Sequence, residues 1–377
     1  MEHSDIIVIG GGIAGLSAAA KIAEAARVCL LEREPQIGYH ASGRSATIYH
    51  NGMSTHVVRA LSACSFDFFI NPPDGFSDIP LAKPCPALFI VRPEKLEELR
   101  AFIEEMRFVT DNARMVMAAE MAEMVPVLRT DDAHFSEGIL DADAHRLDSD
   151  AMLQSFARLL RKRSGRLETG VKIDAIAREG NRWTVRAGER AFSAPILINA
   201  AGAWGDEVAR QAGIAPIGLQ PMRRTIISFD QPAGVEIDAW PFVRSLEDEF
   251  YFLPDAGRLL ASPADETPSE PCDAQPDEYD VALAAYRIEE ATTMSVPRIR
   301  SKWAGLRTFA PDRQPVVGFD AAVEGFFWLV GQGGFGLQTS HAVSEVATSL
   351  VLGRAWPSDL ARFGVSARDL SPARLGG

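Results

Sequence analysis

The chain enters structure with Asp5-Ile6-Ile7-Val8-Ile9-Gly10-Gly11-Gly12-Ile13-Ala14-Gly15, an apolar run leading straight into G-x-G-x-x-G. The helical run Leu16–Ala26 follows, and then a second apolar run, Arg27–Glu32 (RVCLLE). Short apolar runs ended by glycine read as buried strands, and a strand–helix–strand order implies a parallel sheet. Gly10 permits the tight turn, Gly12 lets a pyrophosphate approach the backbone, and Gly15 lets helix and strand pack closely. The helix N-terminus that follows offers free N–H groups and the positive end of a dipole, and Ile13 and Ala14 are counted among the cofactor residues. Glu32 stands 22 residues after Gly10, at the end of the second strand. A carboxylate there accepts hydrogen bonds from ribose hydroxyls and disfavours a 2′-phosphate. A glycine motif alone is weak; between a strand and a helix, with an acid on the next strand, it specifies a dinucleotide site.

Outward from this unit, Trp183–Ala187 reads as a strand of a small hairpin, and Ile196–Asn199 and Gly325–Val330 as further strands. A helix runs from about Gln338 to Leu352. Residues 1–78, 146–212 and 311–377 are thus expected to form one nucleotide domain. The intervening stretches differ in character. Residues 79–145 carry the strand Ala87–Val91 and a charged helix after Pro93; residues 213–310 carry Arg223–Phe229, Phe242–Ser245 and the helix Glu278–Thr292. A discontinuous second domain fits this order, and Pro263–Asp277, rich in Pro, Asp and Glu, reads as an exposed loop.

Composition narrows the function. The 377 residues are 47% hydrophobic and 24% charged, which excludes disorder and fibres. With 38 basic and 51 acidic residues the net charge is −13, which argues against nucleic acid or an anionic membrane as partner. No stretch approaches the roughly 18 apolar residues of a membrane span. Cys29, Cys64, Cys85 and Cys272 are scattered, without metal spacing. No disulfide framework and no metal site are expected, and a reducing compartment follows. With an apolar strand beginning so early, no signal peptide is expected, and the location read from the sequence is cytoplasmic.

An NAD dehydrogenase usually keeps its nucleotide domain continuous. Here small-residue elements occur in all three segments: Gly43-Arg44-Ser45, Ala200-Ala201-Gly202-Ala203-Trp204, and Gly331 to Gly336. One long cofactor touched from three parts of the chain suggests FAD. In that arrangement Gly333, Gly334 and Gly336 bring the amides of a helix N-terminus beside the flavin, where reduction places negative charge. No Cys lies near the GQGGFG loop, so noncovalent FAD is expected.

VIGGGIAGLSAA, LLERE, GYHASGRSA, INAAGAW, WAGLRTFAPDRQPVVG and GQGGFGLQTS, in this order over nearly the whole chain, resemble the FAD-dependent D-amino-acid oxidase (DAO) superfamily. Within it, ALSACSFDFFINPPDGF, GLQPMRR, FYFLPDAG and IEEATT resemble the bacterial D-arginine dehydrogenases. The resemblance implies an α/β fold (α+β overall). A Rossmann-like FAD domain would be joined by a substrate domain whose antiparallel sheet covers the flavin. It implies hydride transfer from an amine-bearing carbon, hydrolysis of the imine, and an electron acceptor that is oxygen or a quinone or other electron-transfer partner. Gly10, Gly12, Gly15, Glu32, Arg33, Ser45, Val171, Ala201, Gly202 and the run Gly331, Gly333, Gly334, Phe335, Gly336, Leu337, Gln338 and Thr339 would line FAD, Val171 through its main chain. Arg223, Tyr251 and Arg307 fall where the D-arginine enzyme holds the substrate carboxylate. Arginine forks suit a desolvated carboxylate, and gripping it fixes the reacting C–H. Arg223 and Arg224 point to opposite strand faces, so one enters the site; by resemblance it is Arg223. No side chain stands out as a required general base.

The departures speak to the substrate. The glutamate that recognises a cationic side chain is Ala87 here, a site-covering tyrosine is Met53, and a substrate-facing histidine is Ile48. Arg244 stands where the relative has a small apolar residue. If Phe242–Ser245 and Phe250–Leu253 form a hairpin, residues 244 and 251 share a face. Arg244 then meets the substrate, or it pairs with Glu247 or Asp248, or reaches solvent. His50, Gly334 and Gln338 are further substrate-side candidates. An acid lost and a base gained suggest a small amino or imino diacid, with iminodiacetate leading and D-glutamate, D-aspartate or a neutral D-amino acid as alternatives. A noncatalytic FAD-binding assembly protein of this fold would have lost the carboxylate-binding residues, whereas Tyr251 and Arg307 are present.

Overall fold

The computed structural model describes residues 1–52 and 54–376. Ile6–Ile9 is a strand buried along its whole length, as a strand covered on both faces must be. It pairs in parallel with Val28–Leu31 on one side and Ile196–Asn199 on the other. Arg166–Glu168 and Phe326–Val330 extend this sheet in parallel, and Val316–Phe319 closes it antiparallel. The helix between the first two strands is Ile13–Ile22, earlier than the apolar run suggests, because Gly15 belongs to its first turn. A Cβ on Gly15 would lie 2.0 Å from Gly10 O, so helix and strand touch here as only glycine permits. Fully buried Ala18, Ala19 and Ala20 let the helices Ser149–Lys162 and Ser340–Val351 pack closely against it. Beside this sheet lie the strands Glu2–His3, Ala175–Glu179, Arg182–Ala187 and Arg190–Ala194, joined as a second layer.

The remaining large sheet has ten strands, and the long pair Gln220–Asp230 and Ile299–Phe309 runs through it antiparallel. Phe242–Ser245 pairs antiparallel with Tyr251–Asp255, yet parallel with Ala87–Ile90, so the sheet is not purely antiparallel as expected. Its two faces are distinct. Ile227, Phe229 and Phe252 pack under the helix Glu278–Ala291, against Val281, Ala284 and Ile288. Ile226, Phe242 and Tyr251 alternate onto the opposite face. Pro263–Asp277 is largely the exposed stretch expected, but it is tied down at points. Ala264 and Ala274 are buried, and Thr267–Pro268 pairs with Met222 and Arg223. Among the described residues no helix is long and apolar enough to cross a membrane.

Candidate active site

Two cavities meet where the sheets meet. The larger, about 430 Å³, runs from the glycine turn and Glu32 past Val171 and Trp204 to Gly333 and Gly336. The smaller, about 150 Å³, is walled by Arg224, Arg244, Tyr251, Arg307 and His50. Ile13, Ser42, Arg44, Gly305, Leu306, Gly333 and Gly336 line both, so the two form one continuous cleft.

The glycine turn is built as the motif requires. Gly10 has φ +113°, and a Cβ there would sit 2.3 Å from Ala200 O. Gly12 is the N-cap of the first helix and has no side chain to cap it, so the first-turn N–H groups of Ala14 and Gly15 remain available. Ser42, which sequence reasoning missed, accepts from Ile13 N at 3.0 Å. Glu32 Oε2 accepts from Gly11 N at 2.6 Å and Oε1 from Glu34 N at 2.7 Å, which fixes the carboxylate at the cleft wall. Arg33 lies over the Trp204 ring, 4.9 Å from its centroid. An uncapped helix start, glycine lips and a fixed carboxylate in one long cleft suit a dinucleotide's pyrophosphate and ribose.

Gly10, Gly12, Ile13, Ala14, Glu32, Arg33, Arg44, Val171, Ala201, Gly202, Trp204, Gly333 and Gly336 all line the larger cavity. Other expected cofactor residues fall elsewhere. Gly15 and Gly43 serve backbone contacts, their Cβ positions lying 2.0 and 2.5 Å from the carbonyls of Gly10 and Gly38. Ser45, Gly334, Phe335, Leu337 and Gln338 line only the smaller cavity. Gly331 and Thr339 line neither; Gly331 turns with φ +79° and Thr339 Oγ1 donates to Phe335 O at 2.8 Å. The glycine loop is also not itself a helix start. Gln332–Gly333 pairs with Thr308 and Phe309, and the helix begins only at Ser340. Val171 N donates to Glu32 O. Arg44 directs Nη1 to the Ala274 and Ala304 carbonyls, both at 3.1 Å, and Nη2 to Asp273, so it clamps the rim of the cleft.

In the smaller cavity the hairpin has the expected register: Arg244 lies opposite Tyr251. Arg244 faces the cavity, and its Nη2 also meets Asp248 Oδ1 at 2.6 Å. The arginine pair resolves against expectation. Arg223 turns to the outer helix, where Nη2 meets buried Asp280 at 2.8 Å. Arg224, on the same strand face as Ile226, enters the cavity instead. Arg307 lies over Phe309, and a Cβ on Gly334 would be 2.4 Å from its Nε and Nη2. Ala87 is wholly buried among Phe89, Ile226, Phe242 and Tyr251 and is not part of the cavity wall. Met53 lies outside the described residues. Gln338 Nε2 donates to Ser62 Oγ at 2.7 Å and His50 O at 3.3 Å.

The electrostatics are those of crowded cations. The side chains of Arg224, Arg244 and Arg307 are 7%, 8% and 15% exposed. Two acids stand close to them, and neither lines the cavity. Asp248 pairs with Arg244 and lies 3.8 Å from Arg224. Glu266 is 3.0 Å from Arg307, 3.5 Å from Arg224 and 2.9 Å from Arg313. Burial, and then the Arg224 charge, push Arg307 down to about 9 despite Glu266. Burial likewise lowers Arg244. Burial works to raise Asp248, but Arg244 and Arg224 hold it below the usual carboxylate range. Burial and the Arg244 charge lower His50 to about 3, so its ring is neutral at physiological pH. Arg224 Nη2, Arg244 Nε and His50 Nδ1 are buried without a hydrogen-bond partner among the described residues. Unsatisfied buried donors are costly unless a ligand completes them.

A dinucleotide cleft opening into a small arginine-walled chamber defines a nucleotide-dependent oxidoreductase. The family model described as "FAD dependent oxidoreductase" (DAO) matches residues 5–350, and the chain belongs to that family. It is 26% identical over 278 residues to the uncharacterised oxidoreductase YurR of Bacillus subtilis (strain 168), covering 72% of this chain and 71% of that protein. L-Proline dehydrogenase from P. horikoshii superposes with a TM-score of 0.85 at 20% identity, over 100% of this chain and 98% of that one. Iminodiacetate oxidase from Chelativorans sp. BNC1 gives 0.74 at 19%, over 97% and 98%. At these identities the solved structures share the fold. The enzyme is an FAD-dependent oxidoreductase, and its cofactor is FAD.

Proposed function

We propose that this enzyme oxidises a C–N bond in a small amino or imino diacid, with iminodiacetate the lead substrate. The observation that carries this is the cluster of three buried guanidiniums on one cavity of about 150 Å³. Asp248 and Glu266, the latter shared with Arg313, do not neutralise these arginines, so the group keeps a net positive charge. Iminodiacetate, D-glutamate and D-aspartate each carry net charge −1 with the amine protonated, and so complement it. A cationic side chain would meet three arginines, and among the described residues no acid lines the cavity.

In this reading the glycine turn, the first-turn amides of the helix Ile13–Ile22, Glu32 and Val171 hold the nucleotide half of FAD, and Gly333 and Gly336 leave room for its flavin end. Bound FAD supplies the two-electron acceptor. Arg224, Arg307 and Tyr251 grip one carboxylate, with Arg224 taking the part that resemblance gave to Arg223. Arg244 takes the second carboxylate. Two fixed carboxylates leave the central C–N unit one orientation, which is where catalysis by positioning arises. The arginines also lower the substrate amine's pKa, favouring the neutral amine that oxidation requires. Hydrolysis of the resulting imine would give glycine and glyoxylate from iminodiacetate.

The test is anaerobic mixing of the FAD-loaded enzyme with iminodiacetate, D-glutamate, D-aspartate, D-arginine and D-alanine, following loss of oxidised-flavin absorbance. Fast bleaching by a diacid, abolished in Arg244→Ala, is expected. Bleaching by D-arginine or D-alanine, but by no diacid, would refute it. Readmitting air then distinguishes oxygen from a quinone or other carrier as acceptor.

A further inference from the structure

Glu266 has no part in the cavity wall, yet its carboxylate touches more of the arginine group than any substrate-facing residue does. Oε1 accepts from Arg307 Nη1 and from Arg313 Nη2, each at 3.0 Å, and lies 3.5 Å from Arg224 Nη2. Oε2 accepts from Arg313 at 2.9 Å. Its backbone is fixed on both sides. Thr267 and Pro268 pair with Arg223 and Met222, and the Asp265 carboxylate is taken by Thr225 N and Oγ1 at 2.7 and 3.1 Å. Arg313 is anchored in turn, 3.9 Å from the centroid of the Phe309 ring that also underlies Arg307.

We propose that Glu266 is the specificity-determining acid of this enzyme: it sets how much negative charge the cavity accepts. This rests on the diacid reading above. Glu266 takes Nη1 of Arg307 and Gly334 packs against its Nε–Nη2 edge, so a substrate carboxylate drawn to Arg307 has to share that guanidinium with Glu266. Glu266 and that carboxylate therefore oppose each other across one guanidinium. Every negative charge brought in by a ligand is repelled by Glu266, and Asp248 does the same behind Arg244. Arg313, 48% exposed, offsets part of Glu266 from the solvent side. The charged groups around the cavity are thus Arg224, Arg244, Arg307 and Arg313 against Asp248 and Glu266, with Arg44 at the rim paired to Asp273 and Asp265 turned to Thr225. Across a bridging guanidinium, roughly 7 Å, Coulomb's law at an effective dielectric near 20 gives about fiftyfold per unit charge. Screening through the exposed Arg313 reduces this to about tenfold.

The experiment is calorimetric titration of the FAD-loaded enzyme with two unreactive probes, acetate and malonate, near neutral pH. Glu266→Gln is expected to tighten both probes by about tenfold and to raise the preference for malonate over acetate, and Glu266→Asp to leave both near wild type. Arg313→Gln is expected to lower that preference, by about twofold because the group is half in water. Opposite signs in Glu266→Gln and Arg313→Gln are what a charge-setting role requires and simple disorder does not produce. An unchanged or reduced preference in Glu266→Gln, or shifts of the same sign in both, would overturn the assignment. Should Glu266→Gln fail to fold or to load FAD, the sign in Arg313→Gln decides. If the wild type binds neither probe, the carboxylate reading itself falls and takes this one with it. If it binds both while no variant moves the ratio, only the role of Glu266 is lost.

Discussion

Gly334→Ala would test the arginine geometry with a single methyl group. Gly334 does not adopt the left-handed backbone that strains an alanine, so the effect is one of contact. The new Cβ would lie 2.4 Å from Arg307 Nε and Nη2 and 2.7 Å from Cζ. Relief to an ordinary contact near 3.4 Å requires the guanidinium to move by about 1 Å. That displacement crowds its Nη1 against Glu266, now 3.0 Å away, and moves it off its seat over Phe309. A misplacement of that size costs on the order of a hundredfold in rate, or about 2.7 kcal/mol. Gly334 lines only the smaller cavity, so FAD should stay bound. The assay is kcat/KM for the substrate that bleaches the wild type, alongside FAD content from absorbance. FAD-replete Gly334→Ala within about threefold of wild type would refute the placement of Arg307.

Three further outcomes follow from the same geometry. Arg224→Ala should lower kcat/KM by on the order of a thousandfold, while Arg223→Ala, which loses outer pairs with Asp280 and Asp277, should change it by less than about threefold; steady-state kinetics on the two variants checks this. Burial and the Arg224 charge bring Arg307 down to about 9, so a carboxylate ligand is expected to bind more weakly, its dissociation constant rising, as pH is raised toward that value, measured by titration of the FAD-loaded protein. Gly10→Ala should yield protein with little FAD, since a Cβ at φ +113° meets Ala200 O at 2.3 Å; the absorbance ratio of flavin to protein reports it.

The nucleotide half was legible because its signals are local. A glycine motif, an apolar strand on each side and Glu32 all lie within one strand–helix–strand unit, and each constrains the others. The register of Arg244 against Tyr251 could also be read, because hairpin spacing dictates it. What the sequence left open depended on a third element. Alternation showed that Arg223 and Arg224 diverge, but not which faces inward. That depends on the helix Glu278–Ala291 placing a buried acid, Asp280, over the outer face and drawing Arg223 to it. Glu266 was hidden for a similar reason. Its segment has the composition of a solvated loop, and only the pairing of Thr267–Pro268 along Gln220–Asp230 brings it behind the arginines. The glycine loop misled differently. Its small residues are there so that Phe309 and Arg307 can pack: a Cβ on Gly333 would lie 2.3 Å from the Phe309 ring.

The strand Ile299–Phe309 carries a consequence for redesign. Gly305 and Leu306 wall both cavities, Arg307 only the smaller and Thr308 only the larger. Residue by residue, one stretch of backbone serves two ligands, so a library drawn from it changes flavin retention whenever it changes substrate preference. Phe242, Arg244 and Tyr251 line the smaller cavity alone. On the proposed reading, that hairpin is a place where new selectivity can be selected without losing the cofactor.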